Sequence, residues 1–94
     1  MILHTVSTSP FTDQNLLRCL KRKQPTDKLL LIQDAVYAII KADMTDTLLT
    51  HGPIYVLSED LLARGLQIDK ELYIAISYPE FVALTLECEQ VISW

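Results

Sequence analysis

The run Leu29-Leu30-Leu31-Ile32 is apolar at every position. A strand with one wet face alternates apolar and polar residues, whereas a strand covered on both faces does not, and double cover is the condition of a parallel sheet. Ile54-Tyr55-Val56-Leu57 and Leu72-Tyr73-Ile74-Ala75-Ile76 have the same character, and Ile2–Val6 is a fourth short run. Such a run does not by itself separate a strand from a buried helical turn. The segments between the runs decide. Thr12 is expected to N-cap a helix that reaches about Lys23 and stops before Pro25, with Phe11 and Leu16 at the hydrophobic-staple positions. Asp34 is expected to cap Ala35–Ala42, and a short turn near Thr45–Leu49 ends at Gly52-Pro53. Ser58 is expected to cap Glu59–Arg64, with Gly65 as the stop. Ser77-Tyr78-Pro79-Glu80 has the spacing of a capping box, with Pro79 in the first turn. Phe81, Leu84, Thr85 and Cys88 then share one helix face. With a short last strand at Gln90–Ser93, strands and helices alternate along the whole chain. Alternation predicts right-handed crossovers and helices on both sheet faces. The expected fold is α/β, a three-layer α/β/α sandwich with a mainly parallel sheet of four or five strands, as a single domain over residues 1–94.

Composition removes whole classes of function. Half of the 94 residues are hydrophobic and 21% are charged, which is too apolar for a disordered chain. The longest unbroken apolar run, Ala35–Ile40, is far short of the roughly 18 residues of a membrane span. Eight basic against twelve acidic residues leave a net charge of −4. The one basic cluster, Lys21-Arg22-Lys23, suits the negative end of a helix, so direct binding of nucleic acid is not expected. With two glycines in the chain, Gly52 and Gly65, neither GxGxxG nor a Walker loop can be built, so no nucleotide cofactor is expected. Cys19 and Cys88 lie far apart and form no CxxC or Cys/His zinc spacing, so no metal is expected. The first residues have no basic region of the signal-peptide type, and a reducing cytoplasm with free thiols is the expected compartment.

Ligands of such sheets sit at the carboxyl ends of the strands, here Ser7-Thr8-Ser9, Gln33-Asp34, Ser58-Glu59 and Ser77-Tyr78. Cys19 is the candidate nucleophile. It stands in the first helix near Arg18, Arg22 and Lys23, and cationic neighbours favour a thiolate, although its late position in the helix opposes this. The alternative is a small core residue. Cys88 lies on the apolar stripe of the last helix and reads as core. His4 faces away from Leu3 and Thr5 and reads as a strand histidine with a satisfied ring nitrogen, with no carboxylate identifiable beside it. His51, before Gly52-Pro53, reads as a solvated loop residue. Asp34 is either a helix cap or a strand-end site residue. Trp94 is expected to pack on the body or on a partner, because an exposed indole is costly. These residues assemble no hydrolase, metal centre or acid–base pair.

The ordered set of motifs goes further. Leu3-His4-Thr5 and Ser9-Pro10 are followed by Leu30-Leu31-Ile32-Gln33-Asp34-Ala35-Val36-Tyr37-Ala38. Tyr55-Val56-Leu57 comes next, with Asp60-Leu61-Leu62-Ala63-Arg64-Gly65, then Tyr78 with Phe81-Val82-Ala83-Leu84-Thr85, and Trp94. Over essentially its full length the chain resembles the TusB/DsrH family, the smallest of the DsrE/DsrF/DsrH-like subunits. The resemblance implies a heterohexamer with TusC-like and TusD-like subunits, in which persulfide sulfur passes from a TusA-like donor to a TusE-like acceptor. The end use it implies is 2-thiolation of the wobble uridine of tRNAs for Lys, Glu and Gln. A DsrH-like role in sulfur oxidation, or an autonomous sulfurtransferase using Cys19, are the alternatives. Some members of the family have a cysteine in the first helix, which makes Cys19 a candidate auxiliary persulfide carrier. The principal carrier of the family belongs to the D/E-type subunit. Without its partners, the chain is expected to self-associate.

Overall fold

A computed structural model describes residues 1–94. Five strands, β1 (Ile2–Val6), β2 (Lys28–Leu31), β3 (Ile54–Leu57), β4 (Tyr73–Ile76) and β5 (Gln90–Ser93), form one sheet in the order β4-β3-β2-β1-β5. Every pairing is parallel. The helices are α1 (Asn15–Arg22), α2 (Ala42–Leu49), α3 (Ser58–Ala63) and α4 (Tyr78–Glu87), with a 3₁₀ helix at Gln33–Ile40. This is the expected α/β architecture with five strands.

The strand order fixes the layers. From β1 to β4 the chain steps in one direction, so right-handed crossovers place all of those connections on one face. The step from β4 back to β5 reverses direction and places α4 alone on the other. The two cores follow this division. The larger joins Val6, Leu29, Leu31, Ile54, Val56 and Tyr73 of the sheet to residues of α1, the 3₁₀ helix, α2 and α3. The smaller joins Leu3, Leu30 and Ile76 to Leu84 and Cys88. Leu29, Leu30 and Leu31 are all fully buried, alternately in the two cores.

Some local expectations hold and some are corrected. The capping box is present: Ser77 Oγ accepts from the Glu80 N–H (3.3 Å) and Glu80 accepts from the Ser77 N–H (2.9 Å), with Pro79 in the first turn. Gly65 stops α3 at φ +65°, with Gly65 N–H donating to Leu62 and Leu66 N–H to Leu61, the paired bonds of a Schellman ending. Thr12 is not a cap. Its hydroxyl donates to the Ser9 carbonyl, and Asp13 takes the Asn15 N–H at 3.0 Å, so the chain turns before α1 begins. The staple is absent, because Phe11 is 58% exposed beneath Lys41 Nζ. Asp34 does not cap either. Its carboxylate is held by Arg64 at 2.9 and 3.1 Å and lies within the first turn. Ser58 is the first residue of α3 rather than its cap, because β3 runs directly into the helix.

Candidate functional site

His4 is the third residue of β1, beside Leu29 of β2 and Ile92 of β5. Its ring faces the α1 side of the sheet, and the residue is 2% exposed. In a parallel ladder the residue before β2 lies beside the start of β1, and that residue is Asp27. Its Oδ1 accepts from the Ile2 N–H (3.0 Å), and its Oδ2 accepts from the Gln24 N–H (3.1 Å) and pairs with His4 Nε2 (3.0 Å). Burial pushes the Asp27 carboxyl up, but the hydrogen bonds from His4, Gln24 and Ile2 overcome it and leave it at about 2. On the other edge of the ring, Trp94 Nε1–H donates to His4 Nδ1 at 3.1 Å. Ile2 and Ile92 join these three residues and Arg22 around an open cleft of about 330 Å³.

Cys19 lies close to this group on α1, and its side chain is fully buried in the larger core. Burial pushes its thiol up to about 12; Lys23 acts to lower it and Asp27 to raise it. The cation that acts on Cys19 is therefore Lys23. Arg18 instead holds Asn15 (3.3 Å), and Lys23 Nζ donates to the carbonyl of His51 (2.9 Å). Burial pulls the Lys23 ammonium down while Asp27 and Cys19 hold it up. Cys88 is a free thiol in the smaller core. No three His, Cys, Asp or Glu side chains converge as metal ligands.

The carboxyl ends of β2, β3 and β4 are tied together by ion pairs and hydrogen bonds. Gln33, at φ +50°, gives its N–H to Asp60 (2.7 Å), Arg64 bridges Asp34 and Asp60, and Arg64 stacks over Tyr37. Glu59 of α3 accepts the Tyr78 N–H of α4 at 3.0 Å.

Residues 8–91 match the family described as "DsrH like protein". The chain belongs to the DsrH family. Proteins named Protein TusB from Yersinia pestis and Yersinia pseudotuberculosis are 40% identical to it over 99% of this chain and all of theirs. The YchN protein of Escherichia coli shares the fold, with a TM-score of 0.78 at 18% identity over 99% of this chain and 97% of that one.

In this DsrH-family chain Cys19 is not brought to the strand-end residues, some of which bond to one another. The structure instead joins His4 directly to Trp94, both singled out in the sequence for other reasons, and sets on the other edge of the His4 ring Asp27, which sequence reasoning missed. The signal was present. A histidine on the covered side of a parallel strand needs a polar partner, and the acid immediately before the next strand, in Thr26-Asp27-Lys28, is placed to supply it. The expected satisfied ring nitrogen is found, with a carboxylate beside it where none had been identifiable.

Proposed function

We propose that this chain is the B-type subunit of a cytoplasmic sulfur-relay assembly, contributing structure and a docking surface to C- and D-type subunits. In this reading the assembly takes persulfide sulfur from a TusA-like donor and passes it to a TusE-like acceptor, for 2-thiolation of the tRNA wobble uridine. The observation that carries the reading is the end-to-end identity of 40% to proteins named TusB. The state of Cys19 supports a structural part. Sulfur transfer requires a thiolate that attacks the outer sulfur of a persulfide and releases the donor thiolate, and a buried thiol raised to about 12 supplies neither access nor charge. An auxiliary carrier role for Cys19 requires α1 to open when partners bind.

Two measurements test this. Tagged chain co-expressed with C- and D-type subunits should retain both through purification, and deletion of its gene should lower the 2-thiouridine content of the three tRNAs. Purification of the tagged chain without them, together with unchanged 2-thiouridine, overturns the reading. Mass spectrometry after incubation with a persulfide donor, on the complex and on its Cys19→Ser variant, addresses the carrier role. A wild-type adduct of about 32 Da at Cys19 assigns it, and its absence removes it.

A further inference from the structure

An indole N–H can only donate. Trp94 Nε1 lies 3.1 Å from His4 Nδ1, so Nδ1 presents its lone pair and the ring hydrogen sits on Nε2, facing Asp27 at 3.0 Å. The neutral ring satisfies both neighbours. An imidazolium carries hydrogen on both nitrogens, so it still suits Asp27 but sets N–H against N–H at Trp94. The backbone at that point is held separately: Trp94 N–H donates to the Thr5 carbonyl (2.8 Å), Thr5 Oγ1 meets Ser93 Oγ (3.3 Å), and β5 is laddered to β1. The indole can therefore leave without the strand.

We propose that His4 and Trp94 form a proton-operated latch, in which a proton on His4 Nδ1 expels the Trp94 indole from the cleft beside β1 while β5 stays in the sheet. Release uncovers Ile2 and Ile92, which line that cleft with the two rings. The charged groups around His4 come from each packed element. Asp27 binds the ring from the loop before β2, Arg22 lines the cleft from the end of α1, and Asp27 in turn acts electrostatically on Cys19 of α1 and on Lys23 just past its end. Lys28 of β2 is turned to the opposite side of the sheet, against Glu87 and Tyr55. The Asp27 carboxyl is held below the ordinary carboxylate range by the hydrogen bonds from His4, Gln24 and Ile2, which overcome its burial.

Trp94 is the only tryptophan of the chain, so its fluorescence reads the latch directly. The intact chain is titrated from roughly pH 8 to pH 5, the range in which histidine changes charge. Acrylamide quenching, far-UV circular dichroism and the histidine ring ¹H–¹⁵N signals are followed together, with His51→Gln used to assign the two histidines. The expected result is hydrogen on Nε2 at pH 8, then an increase of about two-fold in quenching as Nδ1 gains its proton, with unchanged dichroism. A folded His4→Gln variant should lose the response, and if it does not fold, the wild-type ring signals decide alone. A flat indole signal over this range, hydrogen on Nδ1 at pH 8, quenching that rises only with loss of dichroism, or a persistent response in His4→Gln overturns the latch.

Discussion

Asp27 accepts hydrogen bonds from two backbone N–H groups and the His4 ring within one buried pocket. Truncation leaves these donors unmet, so Asp27→Ala should cost about 3 kcal/mol, read as a lowered urea midpoint with unchanged slope. Its pH dependence has a definite sign. The folded carboxyl, at about 2, lies below its ordinary 3.8, so the unfolded chain binds more protons between those values. Stability from Asp27 is complete above about pH 4 and is lost as pH falls toward about 2; urea midpoints of wild type minus Asp27→Asn should shrink over that window. Cys19 gives the complementary prediction. At pH 8 a thiol at about 12 has roughly a thousand-fold less thiolate than one at the ordinary 9.0. Iodoacetamide should label Cys19 in the folded isolated chain at least about a hundred-fold more slowly than in urea, as followed by peptide mass mapping.

At the scale of elements, the ends of α3 and α4 rest on few atoms. Ser77→Ala removes the acceptor for the Glu80 N–H and should lower stability by about 1 kcal/mol in denaturant unfolding. Gly65 has open space where a Cβ would stand, but its φ is +65°. Gly65→Ala therefore meets no clash, and its expected cost of about 1 kcal/mol is conformational. These two ends were legible because the cap needs Ser and Glu three apart, and the left-handed stop needs glycine. The caps expected at Thr12, Asp34 and Ser58 were not. A hydroxyl or carboxylate can serve a turn, an arginine or a helix N–H equally well, and only the neighbours brought by folding choose among them: the Ser9 carbonyl for Thr12, the Arg64 guanidinium for Asp34.

At the scale of the molecule, four helical segments cover one face of the sheet and α4 alone covers the other. That helix is apolar on both sides. Leu84 and Cys88 point into the smaller core, while Tyr78, Val82 and Leu86, spaced four apart, form an exposed outer stripe, and Leu86 is 82% exposed. With Ile74 open on edge strand β4, this is one exposed part of the apolar surplus of the chain; Leu62 of α3, Ile40 and Phe11 are others. Sedimentation of the isolated chain should show concentration-dependent association, and Leu86→Glu should shift it toward the monomer without loss of helix signal. No helix is long and apolar enough to cross a membrane, so this apolar surface is not that of a spanning segment.

The sequence by itself determined four strands, a mainly parallel sheet and the two-sided cover. Those features follow from short-range pattern: uninterrupted apolar runs, capping spacing and the handedness of crossovers. It also placed Cys88 in the core, while for Trp94 it left the body and a partner as alternatives. The structure added β5 at Gln90–Ser93 as the fifth strand and made every pairing parallel. Tertiary structure alone decided that α4 would cover a face unaided, because that depends on where β5 joins the sheet. It also decided that Cys19 would be sealed and that Asp27, His4 and Trp94 would meet. These three are separated by 23 and 90 positions for the two contacts to His4, and no local spacing encodes such distances. They come together only when β2 and β5 flank β1, and the ring between them must then find one donor and one acceptor.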